Sequence, residues 1–154
     1  MRRFFVISYL ITLAMSVAWV IVLGVIVAPV IFHADTLISE SISHYSQGVI
    51  MTEIFVRSNY WFGLVAVFIL AYELYDYFNG RRDVIVQIAA FISLFTIALF
   101  LFYYTPDIVS MQLAHETQTE AFNIAHKGSE LDFKLLLVAL LTLLIRRFLK
   151  LVHK

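Results

Sequence analysis

The sequence has no cysteine, which excludes disulfides, thiolate metal sites, iron–sulfur clusters and cysteine nucleophiles. Charge is scarce as well: 14% of residues are Asp, Glu, Lys or Arg, against roughly 25% in an ordinary soluble domain. The formal net charge is zero, so there is no basic footprint for nucleic acid. Two prolines and five glycines leave long stretches with nothing to break a helix. No nucleophile elbow, phosphate loop, catalytic triad, paired-carboxylate pattern or His-Glu-x-x-His is present, and a soluble-type enzyme is not expected. Nor is a cofactor: a haem held between apolar segments would need axial histidines within them, and they contain none.

What remains is greasy. Of 154 residues 62% are hydrophobic, and the mean hydropathy is +0.89. A chain of this size has too much surface to hide that excess in one core. A bilayer must therefore solvate it, and 14 Phe, 8 Tyr and 2 Trp suit that solvent. Four stretches approach the ~20 apolar residues of a membrane-crossing helix: residues 4–32, 60–78, 84–104 and 131–149. The last is the weakest, since Lys134 and Arg146 must reach back to the interfaces. The first begins like a signal peptide, with Arg2 and Arg3 and a Ser16-Val17-Ala18 that resembles a cleavage site. Its apolar run continues past any signal core, so it is expected to stay as an anchor.

The predicted fold is therefore all-α: a single integral membrane four-helix bundle over residues 1–154, with two amphipathic helices in the outer loops, residues 33–58 and 105–130. Eight Lys and Arg lie at the N-terminus, the second loop or the C-terminus: Arg2, Arg3, Arg81, Arg82, Arg146, Arg147, Lys150 and Lys154. Three, Arg57, Lys127 and Lys134, lie in or beside the long loops. That bias predicts cytoplasmic termini in an inner membrane. Asn59-Tyr60-Trp61 and Tyr103-Tyr104 would mark the outer interface, and Tyr72, Tyr75 and Tyr77 the inner one.

The long loops are alike. Each follows a proline (Pro29, Pro106), each carries two histidines eleven residues apart, and each second histidine precedes a glycine (Gly48, Gly128). Two parallel hairpins of similar design would account for this. In the first loop Ala34, Leu37, Ile38, Ile42, Tyr45 and Val49 recur at helical steps, with Asp35, Ser39, Glu40, Ser43 and Ser46 between them, which predicts an amphipathic helix on the membrane or capping the bundle. The second loop should be helical at both ends with a polar middle.

Four histidines, His33, His44, His115 and His126, are the candidate outer site. On one helix, residues eleven apart share a face but lie ~16 Å apart, too far for one metal. A zinc or copper(II) site would need one histidine from each loop, His44 and His115 foremost, with carboxylates such as Asp35 or Glu116. The plainer reading has these residues capping helices and meeting lipid head groups, with no metal. At the other end Glu73 and Asp76 share a helix face. Carboxylates there are candidates for a proton or cation relay; pairing with Arg81, Arg82 or Arg146 is the plainer expectation. Ser8, Thr12, Ser16, Gly24 and Ala28 form a stripe of small residues for packing against another span or a second subunit.

Two patches carry a resemblance. "GVIVAPVIFHADT" followed by "SQGVIMTEIF", and "YYTPDIVSMQ" followed by "AFNIAHKGSELDF", resemble the bacterial transmembrane protein 205-like proteins, a domain of unknown function, over roughly residues 19–144. The resemblance implies a four-helix membrane protein without an established activity. It marks Gly24, Pro29, Phe32, Pro106, His126 and Ser129 as family-type positions, and lends nothing to His44 or His115. Asp132 stands near where that family often has Asn, and His33 where it often has a basic residue. Ser129 is expected to cap the fourth span, with His126 bonding a nearby loop carbonyl. The function expected is non-enzymatic, accessory or structural, with outer segments touching lipid or a membrane-protein partner. The alternative is a small transporter or metal-handling protein that uses the outer histidines and an inner Glu73/Asp76 relay.

Overall fold

In the computed structural model, residues 2–37 and 42–152 are described, and all regular structure among them is helical. Ile38, Ser39, Glu40 and Lys154 lie outside the described residues. Helix α1 (Arg2–Ile21) passes through a π-helical segment (Val22–Val27) into α2 (Ala28–Phe32), and a 3₁₀ turn follows at Ala34–Thr36. Helix α3 is His44–Phe78 and α4 is Val84–Leu99, which continues through a second π-helical segment (Phe100–Tyr104) into α5 (Thr105–Leu113). The last helix, α6, is Glu120–Val152.

These form four rods running up, down, up and down. Neighbours around the bundle are α1 with α3, α3 with α4, α4 with α6, and α6 with α1. The start of α1, the end of α6 and the 79–83 connection share one end, called here the terminal end; the other is the loop end. Three rods, Phe4–Phe32, His44–Phe78 and Val84–Leu113, are long and apolar enough to cross a membrane. The protein is a membrane protein. The fourth rod is as long, but charges confine its uncharged stretch to residues 135–145.

The first and third rods widen into π-helix for the same reason. Proline has no N–H and its ring crowds the preceding turn. Just before each proline the backbone shifts to i→i−5 pairing: the Ala28 N–H donates to the Leu23 carbonyl, and the Thr105 N–H to the Phe100 carbonyl. Pro29 and Pro106 then sit in the first turn of the next α-segment, where their missing donors are harmless. The shared device adds a structural likeness to the two hairpins.

The loop end differs from the sequence reading in several places. Among the described residues no separate amphipathic helix caps the first hairpin. Ser43 is the N-cap of α3, its hydroxyl accepting from the Ser46 N–H at 3.1 Å, and the helix runs unbroken to Phe78. Nothing between them stops a helix, so the rhythm of Tyr45 and Val49 belongs to the outer half of the second rod. The second hairpin follows expectation, with α5, a polar turn, and α6. That last helix starts at Glu120, eleven positions before the expected span, and Thr119 caps it by accepting from the Phe122 N–H at 3.2 Å. Ser129 is therefore not a cap. It is buried within α6 and donates back to the His126 carbonyl at 2.7 Å. Asn79 and Gly80 end α3 as expected; Gly80 takes φ +76 and the Arg81 N–H closes the turn on the Asp76 carbonyl.

Midway along the bundle Phe55 and Phe62 of α3, Phe100 of the third rod and Phe133 of α6 meet with ring centroids 5.3–6.2 Å apart. Such tilted and edge-on contacts suit aromatic quadrupoles. Ala89, Ala90 and Ser93 of α4 and Ala139 of α6 line the most extensive contact, where small side chains let backbones approach.

Candidate functional site

Two places carry chemistry. The first is a cluster of charges at the terminal end. The buried faces of α3 and α6 repeat every three or four residues. On α3 the face runs Phe62, Val65, Ile69 and then Asp76; on α6 it runs Leu136, Leu140, Leu143 and then Arg147. Both stripes end in charge, and the charges meet. Arg147 is 8% exposed and Asp76 2%. The Arg147 guanidinium donates to Glu73 Oε1 at 3.0 Å, to Glu73 Oε2 and to Asp76 Oδ2. Arg81 donates to Asp76 Oδ1 at 3.2 Å, and the Tyr9 hydroxyl to Glu73 Oε1 at 2.7 Å. Tyr72 stacks on Tyr9 with centroids 4.0 Å apart, and its face lies 5.2 Å from the Arg147 guanidinium carbon. Tyr72 thus points into the bundle rather than serving the interfacial belt.

Of the three arginines expected to pair with Glu73 and Asp76, only Arg81 does so. Arg82 lies over the Tyr77 ring at 4.7 Å, and Arg146 bonds Asp83 at 3.1 Å. The main partner, Arg147, was missed because adjacent arginines differ by a 100° turn of the helix. Carrying the Leu136–Leu140–Leu143 period forward selects 147 over 146.

Asp83 anchors the connection beside this cluster. It caps α4 by accepting from the Ile85 and Val86 N–H groups, and receives Lys150 at 2.8 Å as well as Arg146. Burial pushes its carboxyl up, but the Lys150 hydrogen bond, the Val86 N–H and the charges of Lys150 and Arg146 prevail and hold it at about 2. A carboxyl held low in the fold contributes stability above its unfolded value of 3.8 and loses it as pH falls through about 2. Unfolding midpoints in mild detergent should thus be flatter between pH 4 and 2 for Asp83→Ser, which keeps the cap without the charge, than for the parent. Equal slopes would exclude this role.

The second place is a cleft of about 670 Å³ at the loop end. It lies between the first rod and α6, backed by α3 and α5. Phe55, Phe100 and Phe133 form its floor, and His44, Gln112, Asn123 and His126 its rim. Each hairpin thus supplies one histidine to a common cavity. His44 Nδ1 lies 2.9 Å from Gln47 Oε1, and its ring rests against Phe32. The His126 ring stacks on Phe122, and its Nε2 is 3.6 Å from Glu130. The loops are tied together where the Tyr45 hydroxyl donates to the Gln112 carbonyl at 3.1 Å and the Gln112 amide donates to Thr52 at 2.9 Å.

The other two histidines shape the backbone. The His33 N–H donates to the Pro29 carbonyl at 3.1 Å and ends α2, with Nδ1 2.8 Å from the same oxygen. His115 takes φ +58 in the turn after α5, where the Glu116 N–H closes on the Met111 carbonyl, and its ring packs on Tyr45. Both pairs straddle a turn, so the helical spacing read from sequence does not apply to them. Among the described residues no three His, Asp or Glu side chains converge as metal ligands would. Gly24 faces Phe133 across the cleft, 4.0 Å from where its Cβ would stand. Gly128 admits Tyr104, whose ring a Cβ would meet at 2.8 Å.

Asp132 stands apart. It is 6% exposed, and its Oδ2 has no hydrogen-bond partner among the described residues. A buried carboxylate oxygen left unpaired costs about 1–3 kcal/mol. Asp132→Asn removes the charge at constant size and should raise the unfolding midpoint in detergent at neutral pH. A lowered midpoint would show that the carboxylate is needed.

A family model described as a domain of unknown function matches residues 4–117. No curated protein and no solved structure matches the chain.

Proposed function

The chain belongs to this family, DUF4149, and from that premise we propose that it is a non-enzymatic accessory or structural protein of the bacterial inner membrane, with both termini in the cytoplasm and the loop end outside, touching lipid or a partner membrane protein. The likeness to transmembrane protein 205-like proteins agrees with this and supplies no activity. The observation that carries the reading is the saturation of the charge cluster. Both oxygens of Glu73 and both of Asp76 already accept from Arg147, Arg81 or Tyr9. A proton or cation relay works by changing partners or charge. A carboxylate pair filled on every oxygen by fixed donors serves better as a clamp joining α1, α3 and α6 near the inner interface.

Purified protein in proteoliposomes, alone and as Glu73→Gln with Asp76→Asn, separates the readings. A clamp gives no proton or cation flux in either, and a lower unfolding midpoint in the variant. Flux in the parent that the substitutions abolish would establish the transporter. Crosslinking with affinity capture from native membranes should return a constant membrane-protein neighbour if the role is accessory.

A further inference from the structure

We infer that the loop-end cleft is a binding site for one acyl chain of a phospholipid, with the lipid phosphate at the His126 and Lys134 rim. The cleft exists because the first rod parts from α6 towards the loop end. There α2 leans on α3, whereas α6 packs on α5 and on the π-segment of the third rod. The π-helical segment and Pro29 lie in this stretch of the first rod.

Three features select the occupant. The first is length: the α6 residues that line the cleft run from His126 to Leu137, a depth of about 16 Å along the axis. That is a slot for an extended chain rather than a bowl for a compact solute. The second is an uneven lining: His44, Gln112 and His126 at the rim, the Glu130–Lys134 pair along α6, and Val20, Phe100 and Leu137 below. Amphiphile sites are mostly apolar, with a few polar groups that fix one end. The third is the mouth. Ile21 and Val25 line the cleft on the first rod and are 40% and 68% exposed, so on that side the apolar wall runs out to the lateral surface of the bundle. A tail can enter sideways from the bilayer and needs no passage through water.

Charge favours a phosphate at the top. The Lys134 ammonium, on a mostly exposed side chain, lies 3.4 Å from Glu130, with His126 on the other side of that carboxylate. From its depth on α6 the lysine must rise towards the rim. A lipid phosphate there gains a cation already held in place. This inference stands apart from the accessory role, which rests on the clamp at the opposite end.

The test is native mass spectrometry of the delipidated full chain in detergent, titrated with phosphatidylglycerol or with diacylglycerol. The parent should hold one phosphatidylglycerol per chain after weaker adducts are stripped. Gly24→Leu fills the cleft and Val25→Trp blocks its mouth; each should cut that adduct at least tenfold while the unfolding midpoint is kept. Val67→Leu, on the lipid-facing side of α3, should change nothing. Lys134→Gln should weaken phosphatidylglycerol several-fold and leave diacylglycerol unaffected. Adducts in a purely statistical ladder, or equal binding in folded Gly24→Leu and Val25→Trp, would overturn the site. Loss of both lipids alike in Lys134→Gln would overturn the placing of the phosphate.

Discussion

Arg147→Leu should be the most damaging single change at the terminal end, with a loss of about 3–5 kcal/mol of stability in detergent, because it strands Glu73 without a cation and leaves buried Asp76 only the part-exposed Arg81. Equilibrium unfolding followed by far-ultraviolet circular dichroism reads this directly. Its neighbour supplies the control. Arg146 is part-exposed, and its partner Asp83 is also held by Lys150, so Arg146→Leu should cost under about 1 kcal/mol. Arg147→Lys should fall between, since one ammonium cannot reproduce the fork that serves both acids. Adding Glu73→Gln and Asp76→Asn to Arg147→Leu should recover much of the loss, because the amides need no counter-ion. If Arg147→Leu is no worse than Arg146→Leu, the clamp does not exist.

The aromatic cluster sets the second large effect, and here the solvent changes the arithmetic. Phe62 is fully buried where α3, α6 and the third rod meet. In a water-soluble core Phe→Ala costs about 3–5 kcal/mol, part of it from returning apolar surface to water. A chain already in lipid gains little from that transfer term, since hydrocarbon replaces hydrocarbon. What remains is the void. At about 24 cal/mol per Å³, a hole of roughly 100 Å³ costs about 2 kcal/mol. Phe62→Ala should therefore lower stability by about 2 kcal/mol, and Phe62→Leu by under half of that. A loss above about 4 kcal/mol would mean that water reaches the site on unfolding, against the bilayer reading. A loss near zero would mean that the rings slide together and close the gap.

Much of this was legible in the sequence for a physical reason. Hydrophobic runs and flanking arginines are averages over many residues, so the helical class and the rods survive local ambiguity. Boundaries do not. The polar patch "SHYSQG" reads as part of a separate surface helix, yet no residue in it stops a helix once Ser43 has started one, and it belongs to the second rod. The same blindness hid the start of α6 at Glu120. The clamp was half visible: Glu73 and Asp76 stood out as charges in an apolar stretch, while Arg147 was masked by the arginine beside it. Tyr9 and Tyr72 gave no sign, because a tyrosine near a span end reads as an interface anchor whether it turns outward or inward. The shared cleft was invisible for a different reason. It depends on how two hairpins lean, which neither hairpin encodes alone.

The π-helical segment before Pro29 carries one residue more than an α-helix would need. Winding the same residues 22–27 as regular α-helix would swivel everything ahead of them by about 100° relative to α2, because a π turn takes in one more residue for the same rotation. Tyr9 and Leu13 would then face hydrocarbon, with Tyr9 withdrawn from Glu73, although no side chain at either place had been altered. The widened turn is the phase-setting element between the two ends of the molecule: it absorbs the spare residue, so deleting one residue from this stretch should leave Tyr9 facing Glu73.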